Sequence, residues 1–322
     1  MITLADIQRA QSRVSGVAAR TPLIPLEHLG HTLYLKAENL QPIGAFKIRG
    51  AYNKIASLTE EERARGVITY SSGNHAQGVG YAARALHTKA VIVMPGNAPE
   101  VKRSATEALG AQVIYVGPSG VERMIKAEEL AAKHGYTMIP PYDDEQIIAG
   151  QGTLGLEILE DFPDVDLVLV PVGGGGVISG VATAVKSVKP SAKVIGVEPE
   201  VAADAQASLR AGEIVKLPAE QVARTAADGL RAMYVGTITF EHIRRHVDDI
   251  VTVSEKEISE AVRILAQNPK TVAEPSGAVA PAAWLFHQDS LPPSKATVAV
   301  VSGGNIDPEL LKGGLSEAVC SR

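Results

Sequence analysis

The sequence predicts an α/β fold with two lobes, each built on a parallel or mostly parallel sheet that helices cover on both faces. Short apolar, β-branched segments alternate along the chain with helical patterns, and near-continuous apolar strands are typical of buried parallel sheets. Nine strands are predicted, at residues 33–38, 66–71, 90–96, 112–117, 136–140, 167–172, 193–199, 249–254 and 297–304. Nine strands in a chain of 322 residues indicate two lobes.

Cap residues mark the ends of the predicted helices between these strands. Gly110 and Gly135 follow two helical patterns, and glycine is favoured there because the residue after a helix often adopts a left-handed conformation. Ser254 and Glu257 have the spacing of a capping box at the start of another helix. The segment 139–146, which reads IPPYDDEQ, is predicted to cross between the lobes.

Composition and charge exclude several classes of partner. The formal net charge is −5 and no run of Lys or Arg stands out, which argues against a nucleic-acid partner. No stretch of about 18 uncharged apolar residues is present, so no membrane span is expected. The N-terminal residues lack the apolar core of a signal peptide, and the single cysteine, Cys320, cannot form an intrachain disulfide. These features predict a cytoplasmic protein.

Four consecutive glycines, Gly173, Gly174, Gly175 and Gly176, join a predicted strand to a predicted helix. Consecutive glycines let several backbone amides face one anion, and the start of a helix adds positive potential. A phosphate is therefore the predicted ligand. A flexible linker is the alternative, but linkers rarely lie between a buried strand and an apolar helix.

The same stretch partly matches a dinucleotide-binding fingerprint. Gly174 and Gly176 form G-x-G, and Glu198 follows 22 residues beyond Gly176 at the end of the next predicted strand. Dinucleotide sites have an acid there that binds the ribose. However, Ser179 stands where a third glycine or alanine is expected. This mismatch and the mid-chain position favour a compact monophosphate.

A polar turn follows the predicted strand at 66–71. Hydroxyl, amide, imidazole and backbone N–H groups in this turn can hold a carboxylate. Capping of the next helix by Ser72 or Asn74 is an equally good explanation. The turn consists of Ser71, Ser72, Gly73, Asn74 and His75.

Three other groups of residues remain open on local pattern alone. Residues 302–305 read SGGN at the end of a predicted strand, where an ordinary tight turn is an equal alternative. Glu198 and Asp204 have the hard oxygen ligands that a divalent cation prefers, but solvated carboxylates are favoured by their spacing. Lys47, in the segment IGAFKIRG, is by base rate a surface amine.

In combination, these segments resemble one family. The elements AFKIRGA, SSGNHAQG, GGGG and SGGN, in this order and at roughly these distances, resemble the fold type II pyridoxal-phosphate enzymes. The similarity is greatest to the branch of threonine/serine dehydratases and serine racemases, and it extends from Thr21 to Asn305. It implies the two-lobed fold of tryptophan synthase β. The larger, cofactor-binding domain would comprise 1–49 and 142–322, and the smaller, substrate-loop domain 50–141.

The resemblance implies that the cofactor is pyridoxal 5'-phosphate. Lys47 would form a Schiff base with its aldehyde, and a shielded amine of lowered pKa would also act as a base. A neutral hydroxyl at the pyridine nitrogen does not enforce a protonated ring, which favours elimination or racemisation over transamination. The other implied contacts are Phe46 beside the ring, Asn74 at the ring hydroxyl, residues 173–176 at the phosphate and Ser302 at the pyridine nitrogen.

The implied substrate is a small β-hydroxy amino acid such as serine, threonine or 3-hydroxyaspartate. Lys47 would remove the α-proton, and loss of the β-hydroxyl would release a 2-keto acid and ammonia. Ser72 and Arg123 match serine racemases, in which a serine opposite the lysine can reprotonate Cα from the other face. The implied substrate-binding residues are Ser71, Ser72, Gly73, His75 and Arg123.

The resemblance also implies a divalent metal and a second subunit. Glu198 and Asp204 would bind the metal together with the carbonyl oxygen of Ala202, and Mg²⁺, Mn²⁺ or Ca²⁺ is the expected ion. Family members usually form dimers, so a homodimer is expected. The chain ends 17 residues after Asn305, which leaves no room for the regulatory domain of biosynthetic threonine dehydratases.

Three alternatives to a dehydratase or racemase remain. A β-replacement synthase related to cysteine synthase has the same fold, but its loop usually resembles TSGNTG where this chain has SSGNH. A nicotinamide-dependent oxidoreductase built on residues 171–198 leaves Lys47 unexplained. A catalytically silent amino-acid sensor is less favoured, because this chain has the implied residue at every catalytic position and a sensor would not need them all.

Overall fold

The computed structural model describes residues 1–71, 73–96, 98, 100–117 and 120–309. The strands are β1 (Leu23–His28), β2 (His31–Ala37), β3 (Val67–Tyr70), β4 (Ala90–Pro95), β5 (Gln112–Val116), β6 (Thr137–Met138), β7 (Leu167–Pro171), β8 (Lys193–Pro199), β9 (Asp249–Val253) and β10 (Thr297–Val301). The α-helices are α1 (Leu4–Val14), α2 (Lys47–Ala56), α3 (Glu60–Arg65), α4 (Asn74–Ala85), α5 (Glu100–Ala108), α6 (Gly120–His134), α7 (Glu145–Asp161), α8 (Gly176–Val188), α9 (Asp204–Ala211), α10 (Ala219–Val222), α11 (Thr237–His246), α12 (Glu255–Gln267) and α13 (Pro275–Phe286). The 3₁₀ turns are Glu38–Leu40, Glu200–Ala202, Asp228–Leu230 and Gln288–Ser290.

The strands form two sheets. The larger sheet has the order β1-β2-β10-β7-β8-β9, and the smaller sheet has the order β5-β4-β3-β6. All neighbouring strands are parallel except β1 and β2, which are antiparallel. The predicted α/β class with mostly parallel sheets is therefore confirmed. None of the helices in the described ranges is long and apolar enough to cross a membrane.

Helices cover both faces of each sheet. Leu167 and Leu169 of β7 pack with residues of α12 and α13. The alternate residues, Val168 and Val170, pack with α7, α8 and α11. In the smaller sheet, β4 is enclosed by α2 and α4 on one face and by α6 on the other. This double burial explains why the strand sequences are almost continuously apolar.

The nine predicted strands all coincide with observed strands, but the edge strand β1 was missed. Its sequence, LIPLEH, has no continuous apolar run, and only Leu26 is fully buried. Pro25 also argues against a central strand, because proline cannot donate a ladder hydrogen bond and is tolerated only at an edge. The predicted helix caps are confirmed, with a φ of +84° at Gly110 and +70° at Gly135.

Four charged side chains are buried together behind the start of α2. Arg49 Nε lies 2.7 Å from Glu38 Oε2, and Arg49 Nη1 lies 2.7 Å from Glu157 Oε1. Lys36 Nζ of β2 lies 2.5 Å from Glu157 Oε2. The two cations balance the two carboxylates, so this cluster joins β2, α2 and α7 without leaving an isolated buried charge.

Replacing Arg49 by methionine should strip both carboxylates of their shared cation. We expect the free energy of unfolding to fall by about 3–5 kcal/mol, as measured by urea unfolding followed by circular dichroism. Arg20→Met is the matched control, because Arg20 pairs with Glu160 and Asp161 while its side chain is 50% exposed. The control should lose about 1 kcal/mol or less. Equal losses in the two variants would contradict this prediction.

Candidate active site

The carboxyl ends of β2 and β10 bring two segments of the predicted site together. These strands are parallel neighbours, and the chain stays paired beyond them. Phe46 N donates to Ser302 O at 3.1 Å, and Gly304 N donates to Gly44 O at 2.9 Å. Gly44 has a φ of +71°, and a Cβ there would lie 2.4 Å from the side-chain oxygen of Asn305. Glycine is therefore required at Gly44 for the two segments to approach.

Lys47 is the first residue of α2, and its amine is held inside the protein. Its Nζ donates to the carbonyl oxygen of Pro141 at 2.6 Å and lies 5.2 Å from the centre of the Phe46 ring. Burial lowers the pKa of the Lys47 amine to about 8, because a buried ammonium loses its hydration. About a tenth of the amine is therefore neutral and nucleophilic at pH 7, which is a far larger fraction than for an ordinary lysine.

The four glycines follow β7, which is the next strand of the sheet after β10. Gly175 has a φ of +91°, and no described side chain caps the start of α8. The carbonyl oxygen of Gly174 accepts from Thr239 Oγ1 at 2.8 Å and from Gly236 N at 3.3 Å. The loop is thus held through its carbonyl, while the start of the helix offers amides that suit an anion.

The predicted carboxylate loop follows β3 of the smaller sheet. Ser71 N donates to Val93 O at 3.2 Å, and Ser71 Oγ accepts from Gly73 N at 3.3 Å. Helix α4 begins at Asn74. Ser72 lies outside the described residues. The turn that the sequence predicts therefore leads directly into a helix start.

Asn74 connects this loop to the larger sheet. Its Nδ2 donates to Glu274 Oε1 at 2.5 Å, and its Oδ1 accepts from Asn305 Nδ2 at 2.8 Å. Glu274 is 3% exposed and directly precedes α13. The structure thus brings Asn74 to the segment that contains Ser302, and it adds a buried carboxylate, Glu274, that was not predicted from the sequence.

His75 is buried and neutral. Its Nε2 lies 3.0 Å from the carbonyl oxygen of Ile139. Because a carbonyl only accepts, Nε2 carries the proton, and no described residue bonds Nδ1. Burial, with a smaller contribution from the charge of Lys47, lowers the pKa of His75 to about 3. The side chain of His75 therefore does not provide a positive charge for a carboxylate.

The predicted residues Ser302 and Arg123 lie in different parts of the structure. Ser302 is 4% exposed, and its hydroxyl donates to Ser276 O at 3.2 Å. Arg123 lies near the start of α6, against the smaller sheet, and partial burial lowers the pKa of its guanidinium. Ser302 is thus adjacent to Phe46 and Lys47, whereas a contact between Arg123 and substrate stays a prediction.

Glu198 and Asp204 form a buried pair of carboxyl groups at the end of β8. Glu198 accepts from the amides of Ala205 and Gln206 at 3.0 and 2.8 Å, whereas no described side chain bonds either oxygen of Asp204. Burial and the neighbouring Asp204 raise the pKa of Glu198, and burial raises that of Asp204 to about 7. No cluster of three or more His, Cys, Asp or Glu suited to a metal occurs in the described parts.

Comparison with known proteins identifies the family. Residues 14–303 match the family of pyridoxal-phosphate dependent enzymes. The chain belongs to this family. It is 48% identical over 315 residues to the L-threonine ammonia-lyase of Thermotoga maritima, with 97% of this chain and 77% of that protein covered. It is 41% identical over 309 residues to the L-threo-3-hydroxyaspartate ammonia-lyase of Saccharomyces cerevisiae, with 95% and 94% covered.

A solved structure supports the same assignment. Maize serine racemase matches with a TM-score of 0.92 and 37% identity, and 98% of each chain is covered. The predicted family and its fold type are therefore confirmed. Membership of a pyridoxal-phosphate family also removes the nicotinamide alternative suggested by Gly174, Gly176 and Glu198.

The residues present fit pyridoxal phosphate. Lys47 offers an amine whose pKa burial lowers to about 8, which suits condensation with an aldehyde. The uncapped start of α8, entered through the left-handed Gly175, suits a phosphate. Ser302, nearly buried beside the Lys47 segment, offers a neutral hydroxyl.

Several residues that surround this site are not among those predicted from the sequence. Pro141 provides the carbonyl that holds Lys47, and Tyr142 packs against Gly174. Thr239 also holds the glycine loop, and Glu274 holds Asn74. The segment IPPYDDEQ was noted only as a crossing between lobes. Its position after a strand, where ligands bind in such folds, was the signal that could have identified Pro141 and Tyr142.

The amine of Lys47 should titrate well below an ordinary lysine. In cofactor-free protein methylated with ¹³C-formaldehyde, we expect its carbon resonance to titrate near pH 8, whereas ordinary lysines titrate at about 10.4. The pKa of Lys47 is lowered rather than raised because burial disfavours the charged ammonium. The amine is therefore mostly neutral above that midpoint. Lys47→Arg should remove this resonance and so assign it. A Lys47 midpoint at the ordinary lysine value would show that the amine is well solvated.

Proposed function

We propose that the protein is a pyridoxal-phosphate dependent ammonia-lyase that converts a small β-hydroxy amino acid into a 2-keto acid and ammonia. The observation that carries this proposal is the enclosed amine of Lys47, whose pKa lies near 8, at the sheet edge that also bears the uncapped glycine loop. Identities of 48% and 41% to two ammonia-lyases that act on β-hydroxy amino acids support it.

Lys47 acts as the base in the proposed reaction. The cofactor, when bound, supplies an electron sink for the negative charge that develops at the substrate Cα. Neutral Lys47 Nζ takes the proton from Cα, since an amine with a pKa near the working pH is an efficient proton acceptor. The electron pair left at Cα then forms a double bond to Cβ as the β-hydroxyl departs, and the proton held by Lys47 Nζ passes to the hydroxyl, which leaves as water. The resulting enamine takes up water and yields a 2-keto acid and ammonia, so that no net water is consumed.

Substrate and cofactor are held by the segments around Lys47. The carboxylate of the substrate binds at residues 71–75, where Ser71, Gly73 and the start of α4 offer hydroxyl and amide donors. Because the ring of His75 is neutral and donates to Ile139, its contribution is the backbone amide. Arg123 contributes a positive charge. Phe46 borders the cofactor ring, Asn74 binds its hydroxyl, Ser302 its nitrogen, and residues 173–176 bind its phosphate.

Racemisation is a second activity of the same site. Ser72 acts as an acid and base on the face of the substrate opposite Lys47, and the similarity to maize serine racemase supports this role. A β-replacement synthase fits the fold equally well. However, the sequence SSGNH at 71–75 differs from the loop usual in those enzymes, so this alternative is less favoured.

A divalent cation binds at Glu198 and Asp204, with the carbonyl oxygen of Ala202 as a further ligand. The support is the buried carboxylate of Asp204, which no side chain in the described structure bonds, since buried carboxylates are normally paired or bound to metals. Two carboxylates and a carbonyl are hard oxygen ligands that suit Mg²⁺, Mn²⁺ or Ca²⁺. The same carboxyl pair could instead stay protonated, and metal titration distinguishes these states.

The assembly and location of the protein complete the proposal. We retain the division into domains at 1–49 with 142–322 and at 50–141, because the four strands of the smaller sheet all lie within 50–141. The protein acts as a homodimer in the cytoplasm, without nucleic-acid or membrane partners. Phe286, 37% exposed at the end of α13, is available to an interface, whereas Trp284 is only 6% exposed.

Turnover and absorption test the proposed function directly. Purified protein should show a visible band of lysine-bound cofactor, and it should form 2-keto acid from L-serine, L-threonine or L-threo-3-hydroxyaspartate. Lys47→Ala should lose the band and reduce turnover by at least about a thousandfold, since it removes both the attachment point and the base. D-Serine measured in the same reactions reports racemisation.

The matched control for this test is Lys54→Ala. Lys54 lies two turns further along α2 and forms a partly buried ion pair with Asp144, so its replacement removes a lysine of the same helix that does not contact the proposed cofactor. The control should keep the visible band. Ketoacid formation by Lys47→Ala, or a wild-type protein that takes up the cofactor but eliminates water from none of the three substrates, would contradict the proposed ammonia-lyase.

The metal site predicts a change in thermal stability. At a concentration 100-fold above its dissociation constant, a bound cation should stabilise the folded protein by about 2.7 kcal/mol relative to protein in EDTA. Differential scanning calorimetry with Mg²⁺, Mn²⁺ and Ca²⁺ should show the rise in Tm, and Asp204→Asn should abolish it. An unchanged Tm with all three ions would favour a protonated carboxyl pair.

A further inference from the structure

The short segment 141–144 contacts several parts of the proposed site. The carbonyl oxygen of Pro141 accepts from Lys47 Nζ at 2.6 Å. Asp143 accepts from the amides of Thr237, Ile238 and Thr239 at 2.8–3.1 Å, and it therefore caps α11. Asp144 caps α7. Tyr142 lies between these anchors, so its backbone is fixed on both sides.

The ring of Tyr142 packs directly against the glycine loop. A Cβ built on Gly174 would lie 2.2 Å from Cδ1 of Tyr142, and its three nearest atoms would all belong to this ring. A Cβ on Gly176 would lie 3.0 Å from Cβ of Tyr142. Because real Cβ atoms do not approach other atoms that closely, Gly174 allows the ring to lie against the loop backbone.

The opposite side of the loop is held by α11 and the residues before it. Gly174 O accepts from Thr239 Oγ1 and Gly236 N. A Cβ on Gly175 would lie 2.9 Å from Thr239. Tyr142 and Thr239 therefore both contact the loop. Four consecutive glycines have the largest conformational freedom of any backbone, so these two contacts restrict a segment that would otherwise be mobile.

We propose that Tyr142 is a positioning residue for the cofactor phosphate. Its ring restricts the backbone of Gly174 and Gly176 to a conformation whose amides are ready to bind phosphate. Preorganisation of this kind raises affinity because less conformational freedom is lost when the ligand binds. The inference rests on the proposed function only through the phosphate at the glycine loop, and it holds whichever amino acid the enzyme uses.

The same segment relates the phosphate site to the amine. Pro141, which holds Lys47 Nζ, directly precedes Tyr142, which packs on Gly174. A displacement of the backbone at 141–142 therefore moves both contacts together. The segment 141–142 therefore links the reactive amine to the proposed anion site.

The test measures binding of a cofactor analogue that has the phosphate but no aldehyde. Full-length protein, freed of cofactor with hydroxylamine, is titrated with 4-deoxypyridoxine 5'-phosphate and separately with inorganic phosphate by calorimetry. Tyr142→Ala should weaken analogue binding by at least about tenfold. Tyr142→Phe, which keeps the ring, should retain the wild-type affinity for the analogue to within about twofold. Equal loss in both variants would overturn the role of the ring.

A control variant separates ring packing at the loop from general aromatic packing. Tyr34 packs against Phe162, with ring centres 4.6 Å apart and the rings tilted by 50°, and it lies on β2 outside the glycine loop. Tyr34→Ala should lower Tm yet keep analogue affinity within about twofold. If Tyr34→Ala weakens binding as much as Tyr142→Ala, a general loss of packing explains the result and the proposal is wrong.

A double-mutant cycle tests the contact itself. Gly174→Ala should weaken analogue binding by at least about tenfold, because its Cβ collides with the Tyr142 ring. In the Tyr142→Ala background, the same substitution should cost no more than about threefold, since the obstructing ring is gone. Additive effects would overturn the proposal. If Tyr142→Ala does not fold, the ³¹P resonance of cofactor-loaded Gly174→Ala provides the readout, and a wild-type chemical shift and line width would count against it.

These outcomes are independent of the lyase reaction. A wild-type protein that binds the analogue but forms no 2-keto acid would contradict the proposed function and leave the role of Tyr142 intact. If the wild-type protein forms 2-keto acid but Tyr142→Ala binds the analogue normally, the proposed function stands and the role of Tyr142 is contradicted. The two proposals can therefore fail separately.

Discussion

The site depends above all on the parallel pairing of β2, β10, β7 and β8. Parallel strands end at the same edge of a sheet, so the segments that follow them meet although they are far apart in sequence. The Lys47 segment follows β2, SGGN follows β10, the glycine loop follows β7, and Glu198 stands at the end of β8. The antiparallel β1 runs the other way, and no predicted site residue lies on it.

The second sheet completes the site through a few polar contacts. Asn74 bonds Glu274 and Asn305, which lie in segments next to the larger sheet. His75 and Lys47 bond backbone carbonyls in the crossing segment at 139–141. Buried polar groups are costly unless they are bonded, so such contacts specify one relative arrangement more strictly than apolar packing does. The reactive lysine is thus positioned by the same contacts that join the two halves of the site.

Elements with a local sequence pattern could be predicted, whereas contacts between residues far apart in the sequence could not. The apolar strands, the helix caps and the glycine loop could be predicted, because each has a local pattern. The segments that carry Lys47, Asn74 and Ser302 could be singled out only through their combination with that loop, because each of them alone also fits an ordinary structural role. Tyr142, Glu274 and Thr239 could not, because their significance lies in what they touch across the fold. β1 was missed for a third reason. Edge strands need fewer apolar residues, and they tolerate proline.

Buried carboxyl groups occur in two different electrostatic environments in this protein. Around Arg49, two carboxylates face two cations, and all four side chains make charged hydrogen bonds. At Glu198 and Asp204, two carboxyl groups face each other, and among the described residues no Lys or Arg contributes to their pKa shifts. Two neighbouring buried carboxyl groups disfavour joint ionisation. The second pair is therefore stable at neutral pH only if it retains a proton or receives a cation, whereas the first pair is neutralised by side chains of the protein itself.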